Sequence, residues 1–191
     1  MALASPTRRL PSAATVALCN AVPNVLWSAL AFGPLAVACA RYVARPWLWS
    51  FVAVSLLVYA WPAVWLRRLQ LSSRAATYRR LGVPAVGRLV QQGALVNGLL
   101  RRRYPGYRVL AGPRGAARLV RATYQQERFH WAALLGFLLV SGYLVGRGHW
   151  AWALALTGLN VGYNLYPIWL QQYLRVRLGQ GAAALPRHGG P

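Results

Sequence analysis

Residues 11–40 carry no charged side chain, and a second uncharged run extends from Pro46 to Leu66. About 20 apolar residues, each rising ~1.5 Å in a helix, match the ~30 Å hydrocarbon core of a bilayer. Backbone placed in lipid must satisfy its own N–H and C=O groups, so both runs predict helices. The first span is placed at Asn20 to Cys39, with Pro23 near its start and Gly33-Pro34 as a kink or break. The second runs from Pro46 to Leu66, where Trp47, Trp49, Trp61 and Trp65 gather near the ends as interfacial aromatics do. Two further uncharged runs, Phe129 to Gly146 and Trp150 to Leu170, flank a Gly146-Arg147-Gly148-His149 turn. A cleaved secretory signal is the competing reading of the first run, given Arg8-Arg9 and the small residues Ala38-Cys39-Ala40. The run is too long for one, and another span follows almost at once, which favours an uncleaved anchor.

The expectation is an all-α integral membrane protein with about four transmembrane helices. Residues 1–66 form an N-terminal helical hairpin, 67–128 an arginine-rich interfacial segment, and 129–178 a C-terminal hairpin. Residues 179–191, largely Gly, Ala and Pro, form a disordered tail.

Charge supports that division. All 22 basic side chains are arginine, against one acid, for a formal net charge of +21. Soluble domains mix both signs. Nucleic-acid binding fits the net charge but not its distribution, because uncharged runs of bilayer length separate the arginines. The lack of acids excludes paired-carboxylate catalysis, EF-hands and carboxylate-held two-metal sites. Cys19 and Cys39 would stand ~30 Å apart along a helix, so they are read as packing residues and not as a disulfide.

Fourteen of the arginines fall in residues 67–128. Leu89-Val90, Leu95-Val96 and Leu99-Leu100 recur there at helical spacing beside Arg88 and Arg101-Arg102-Arg103. This predicts one or two amphipathic helices lying on anionic headgroups, broken up by glycines and prolines such as Gly82, Pro84 and Pro105. With the N-terminus inside, nineteen arginines lie on the cytoplasmic side and only Arg41, Arg45 and Arg147 lie outside. The asymmetry predicts a multi-pass inner-membrane protein with both termini cytoplasmic.

The one carboxylate side chain, Glu127, stands where the third span begins, with His130 at i+3 on the same helical face. Such a pair can act as a general base and its orienter, or as two metal ligands. No metal is expected, since His149 falls at the opposite membrane face. The plainer reading is a carboxylate near a helix start, paired with Arg121, Arg128 or Arg175. On the fourth span, Asn160, Asn164, Pro167, Gln171 and Arg175 fall within about 80° on a wheel of 100° per residue. A polar stripe on a spanning helix faces protein or a water-filled cavity. Pro167 also leaves the Tyr163 carbonyl without its usual donor. Folding the two spans about the 146–149 turn brings His130 level with Asn164 or Leu165, and Glu127 level with about Ile168.

These residues carry a family resemblance. The stretch from Thr123 through Glu127 and His130 to Trp131, followed by Asn164, Pro167-Ile168, Gln172-Tyr173, Arg175 and Arg177, resembles the glycosyl-4,4'-diaponeurosporenoate acyltransferase family. These are small bacterial membrane proteins of staphyloxanthin-type carotenoid pathways. The resemblance is best over residues 119–178, and looser through Leu81-Gly82-Val83 and Arg101 to Leu110. Leu174, Ala122 and Gly87-Arg88-Leu89 depart from the family pattern.

The resemblance implies transfer of a fatty acyl group to a hydroxyl of a glycosylated carotenoid or similar lipid-like acceptor. Acyl-CoA or an acyl carrier protein would be the co-substrate, with no resident cofactor. On that expectation His130 is the general base, Glu127 its orienter, and Asn164 polarises the acyl carbonyl. Gln171, Gln172, Arg175 and Arg177 bind substrate, the two arginines holding the donor's phosphates. The alternative is a non-catalytic membrane scaffold or lipid-binding protein, with Glu127 a structural counter-ion and the polar stripe acting as helix glue. A channel or transporter is less favoured, because the spans are few and no inverted repeat is evident.

Overall fold

The computed structural model describes residues 10–90, 94–107 and 112–183, without the side chains of residues 94, 112–114 and 180–183. All regular structure among them is helical. In chain order the helices are α1 (Ala13–Tyr42), α2 (Arg45–Leu56), α3 (Ala63–Arg68), α4 (Ala75–Arg80), α5 (Val83–Leu89) and α6 (Ala94–Arg103). The long α7 (Gly112–Gly146), then α8 (Trp150–Asn160) and α9 (Tyr166–Ala183), complete the chain.

Helix α1 starts at Ser12, whose hydroxyl accepts the Thr15 N–H at 3.1 Å. The break expected at Gly33-Pro34 does not form, and the helix continues past both Pro23 and Pro34. Each proline removes one main-chain bond, while packing of Phe32, Leu35 and Ala38 holds the rod on both sides of Pro34.

The second expected span is divided. Helix α2 passes into a 3₁₀ turn at Leu57–Ala60, and Trp61 is extended before Pro62 (φ −64°, ψ 128°), so α3 begins afresh. Proline disfavours helical geometry at the residue before it. The break exposes the Trp61 carbonyl, which accepts from Arg128 Nε and Nη2 at 3.2 and 3.0 Å. Arg128 thus caps a broken helix.

Helix α7 begins seventeen residues before the expected start of the third span, crossing the boundary drawn at residue 128. Helix α8 follows the expected tight turn, where Gly148 takes φ 79°, a left-handed conformation that favours glycine. The fourth run is interrupted by a π-turn at Val161–Leu165 before α9. Helix α9 extends to Ala183, into the region expected to be disordered, and the remainder of that tail lies outside the described residues. Two helical stretches, Ala13–Tyr42 and Gly115–Gly146, are long and apolar enough to cross a membrane.

Two apolar clusters bracket the molecule. At the α7–α8 turn, Ala38, Cys39 and Val43 of the α1 end pack on Phe137, Val140, Leu144, Ala153 and Leu156. At the other end, Ala75, Tyr78 and Val83 pack on Leu170 and Tyr173 of α9. Outward faces remain apolar: Val25 is 68 % and Leu154 73 % exposed. The polar groups of α7 and α9 are buried between the two clusters.

Candidate active site

The π-turn decides which residues of α9 face α7. Tyr166 donates its N–H to the Val161 carbonyl, one residue farther back than in an α-helix. The extra residue rotates the helix beyond it. One buried row therefore runs through Asn160, Asn164, Ile168, Gln172 and Arg175, spaced by fours and then three, while Leu170 and Tyr173 are buried in the cluster with α4 and α5. Pro167 and Gln171, expected on the same polar stripe, line a cavity that Asn164 also reaches.

A chain of amides orients His130. Asn160 Nδ2 donates to the Leu134 carbonyl of α7 at 3.0 Å, which leaves its Oδ1 to accept Asn164 Nδ2 at 2.8 Å. Asn164 therefore presents Oδ1 to His130 Nδ1, at 3.3 Å. An amide oxygen only accepts, so the network assigns the imidazole proton to Nδ1 and leaves Nε2 as the basic nitrogen of the neutral ring. The Tyr163 carbonyl, released by Pro167, also faces the imidazole. An imidazolium formed here shares its charge with two carbonyl-type oxygens and no carboxylate.

Glu127 is fully buried and does not take the expected place beside His130. One of its oxygens accepts Gln172 Nε2 at 2.8 Å, and the other pairs with Arg175 Nη2 at 2.5 Å. Arg175 also lies over the Tyr124 ring, 4.2 Å from its centroid, and Nη1 reaches Thr123 Oγ1 at 3.5 Å. Gln172 Oε1 accepts the Leu71 N–H at 3.0 Å and lies 3.2 Å from the Tyr78 hydroxyl, while its amide reaches the Leu69 carbonyl at 3.4 Å. Tyr78 in turn donates to the Ser72 carbonyl and accepts the Ser72 N–H. This network ties the loop between α3 and α4 to both long helices. Burial pushes the Tyr78 phenol above its ordinary pKa, and nearby Glu127 adds to the rise, against the Ser72 backbone bond and Arg175.

A cavity of about 510 Å³ opens beside His130, within the ~300–1,000 Å³ range of small-molecule sites. Helix α7 contributes residues from Leu119 to His130, α9 contributes Pro167 to Leu174, and α5 contributes Gly87 and Leu89. Spanning about twelve residues of two helices at ~1.5 Å each, it is roughly 17 Å long. Gly87 lets α5 approach closely, since a Cβ there would stand 3.1 Å from Leu170 Cδ1. The wall is apolar except for a few groups such as Thr123, Gln126, Gln171 and the His130–Asn164 pair.

The seven residues singled out in the sequence therefore separate into groups. His130, Asn164 and Gln171 reach the cavity. Glu127, Gln172 and Arg175 bond to one another behind it, so the guanidinium expected to hold phosphate is occupied by a carboxylate. Arg177 is exposed, 5.9 Å from the Tyr173 ring centroid. The α1 wall was missed altogether: Asn24, Trp27, Ser28, Ala31 and Phe32 line the cavity. Their i, i+3, i+4, i+7, i+8 spacing was a readable signal. A family model described as glycosyl-4,4'-diaponeurosporenoate acyltransferase matches residues 62–182. No curated protein sequence and no solved structure matches the chain.

Proposed function

The chain belongs to the glycosyl-4,4'-diaponeurosporenoate acyltransferase family, and from that premise we propose an integral membrane enzyme that acylates a hydroxyl of a glycosylated carotenoid or similar lipid-like acceptor. The observation that carries the reading is a histidine with an assigned basic nitrogen on the wall of a largely apolar cavity. His130 Nε2 takes the proton of the acceptor hydroxyl as its oxygen attacks the acyl carbonyl of a thioester donor, acyl-CoA or acyl carrier protein. The tetrahedral intermediate collapses, the C–S bond breaks, and the departing thiolate takes the proton back from the imidazolium. Asn164 holds the ring through Nδ1. Its second amide hydrogen remains available for the carbonyl oxygen.

Glu127 keeps the frame in this scheme and takes no proton. Its buried pair with Arg175 and its bond to Gln172 hold α9 at the depth that sets Asn164 beside His130. The exposed apolar faces of α1 and α8 suit lipid, and the arginine asymmetry supports an orientation with both termini and the arginine-rich segment on the cytoplasmic side of the inner membrane. In that orientation the cavity runs from the cytoplasmic face inward, so a charged donor arrives from the basic side and an amphiphilic acceptor from the bilayer. Exposed arginines such as Arg88 and Arg177 are the groups left to meet the donor's phosphates, with anionic headgroups as their resting partners.

Lipid and pigment profiling of a strain lacking the protein tests the reading. An acylated glycolipid or carotenoid ester should disappear, and return with the wild-type chain but not with His130→Ala. An unchanged profile would overturn it and favour the scaffold alternative.

A further inference from the structure

The cavity's fourth wall is α1, which lies wholly outside the family-matched residues 62–182. Asn24, Trp27, Ser28, Ala31 and Phe32 form one face of that helix toward the cavity, while Val22, Val25 and Leu26 on the other side are exposed. The deep end is sealed. Ala31 is buried, and the Phe32 ring packs 6.3 Å from that of Phe129 and 5.9 Å from that of Phe137. The side is not: Asn24 and Ser28 line the cavity and are exposed.

Helix α1 packs mainly on α6, α7 and α8, and α6 also packs on α5, so α1 and α5 face each other across a seam that α6 bridges on one side. Trp27 bridges it. Its indole Nε1 donates to the Leu89 carbonyl at 2.8 Å, one of the unpaired carbonyls at the C-terminal end of α5, and its ring lies 5.8 Å from Tyr163. Tyr163 precedes Asn164 in the π-turn, so one side chain joins α1, α5 and the segment that orients His130.

We propose that the seam between α1 and α5 is a lateral portal in which the apolar chain of the membrane-dissolved acceptor lies, and that Trp27 sets its width. The inference rests on the acyl-transfer reading for the identity of the acceptor. A lipid-like acceptor carries a hydrocarbon chain longer than a 510 Å³ cavity sealed at its deep end by phenylalanines can enclose. The chain must leave sideways while its hydroxyl stays at His130. Among the described residues the exposed Asn24 and Ser28 mark the seam as the open side, and the exposed Val25 and Leu89 give it an apolar border suited to lipid.

The test uses the full chain in phosphatidylcholine–phosphatidylglycerol vesicles with a long-chain alkyl glucoside carrying a diazirine at mid-chain. After irradiation, fragmentation mass spectrometry locates the label. Labelling should concentrate at Asn24, Ser28 and Ala31 over Val22, Val25 and Leu26, and excess unlabelled glucoside should suppress it. Trp27→Phe keeps a ring against Tyr163 but loses the bond to Leu89, and should raise seam labelling by about 2- to 10-fold, the range for one ordinary hydrogen bond. Trp27→Ala should raise it further and admit a branched-chain glucoside that the wild type excludes. Equal labelling of both faces of α1, or labelling indifferent to both Trp27 variants, overturns the portal. His130→Ala separates the two proposals. If it is inactive and the seam remains unlabelled, the portal falls alone; if it is active with the seam labelled, the catalytic reading falls and the portal stands.

Discussion

Removing the Glu127 charge should cost the protein its stability before it costs any chemistry. In Glu127→Gln the partner guanidinium stays where it is, because Arg175 is only 8 % exposed and sits between α7, α9 and the Tyr124 ring. Its remaining side-chain hydrogen bond is the long 3.5 Å contact to Thr123, and its Nε has no partner. An uncompensated buried charge of this kind costs about 3–5 kcal/mol. For a chain of this length each kcal/mol moves Tm by ~2–4 °C, so the variant should melt roughly 6–20 °C lower. Adding Arg175→Met removes the stranded charge and should recover a large part of the loss. Thermal unfolding in detergent micelles, followed by circular dichroism, gives the three values. A Glu127→Gln protein with wild-type Tm, or a double variant no more stable than the single, would refute the structural role assigned to the pair.

Four further outcomes follow from the same geometry. Tyr78→Phe strips the Ser72 and Gln172 contacts and should cost about 1–3 kcal/mol, read as a lower Tm. Because the folded-state pKa of Tyr78 is raised above its ordinary 10.0, the stability from its neutral phenol is intact below that pH and lost as pH climbs through the folded value. The alkaline fall in Tm should therefore be steeper in the wild type than in Tyr78→Phe. Asn160→Ala frees the Asn164 amide to turn, so kcat should drop about tenfold or more at unchanged KM, a share of the ~10²–10⁴ that a general base contributes. Gly148→Ala forces a side chain into left-handed backbone and should cost about 1–2 kcal/mol, visible as a lower Tm with normal activity per folded molecule.

How far the sequence could be read depended on where the helix period held. Counting back from the 146–149 turn set His130 level with Asn164 or Leu165, and the His130 and Asn164 side chains meet at 3.3 Å. The proline at 167 marked the Tyr163 carbonyl as free, and it faces the imidazole. The first inference used the helical rise counted from the turn, and the second a bond between residues four apart. The stripe read from the wheel divides past Leu165: Arg175 is buried against α7 while Pro167 and Gln171 line the cavity, and Gln172, which a fixed 100° step leaves off the stripe, is buried beyond the extra residue of the π-turn. For Glu127 the i+3 spacing suggests His130, while the plainer reading offers Arg121, Arg128 or Arg175. The structure has the Arg175 pair, together with a Gln172 bond that spacing did not indicate, because a buried carboxylate takes the charged partner. Pro62 was visible in the second run, yet an uncharged stretch of bilayer length outweighed it. The α1 wall had a readable i, i+3, i+4, i+7, i+8 spacing, but Asn24 and Ser28 look like ordinary polar interruptions of a spanning helix until the cavity beside them is formed.

The central claim is that His130 moves the proton and Glu127 does not. Acyl transfer from a thioester to a membrane-embedded glycolipid, measured in proteoliposomes at equal amounts of folded protein, tests it most directly. His130→Ala should lose about 10²–10⁴-fold in kcat, while the Glu127→Gln/Arg175→Met protein keeps activity in proportion to what remains folded. Retention of near-wild-type turnover by folded His130→Ala, or complete loss in a folded protein lacking only the Glu127–Arg175 pair, would contradict the account.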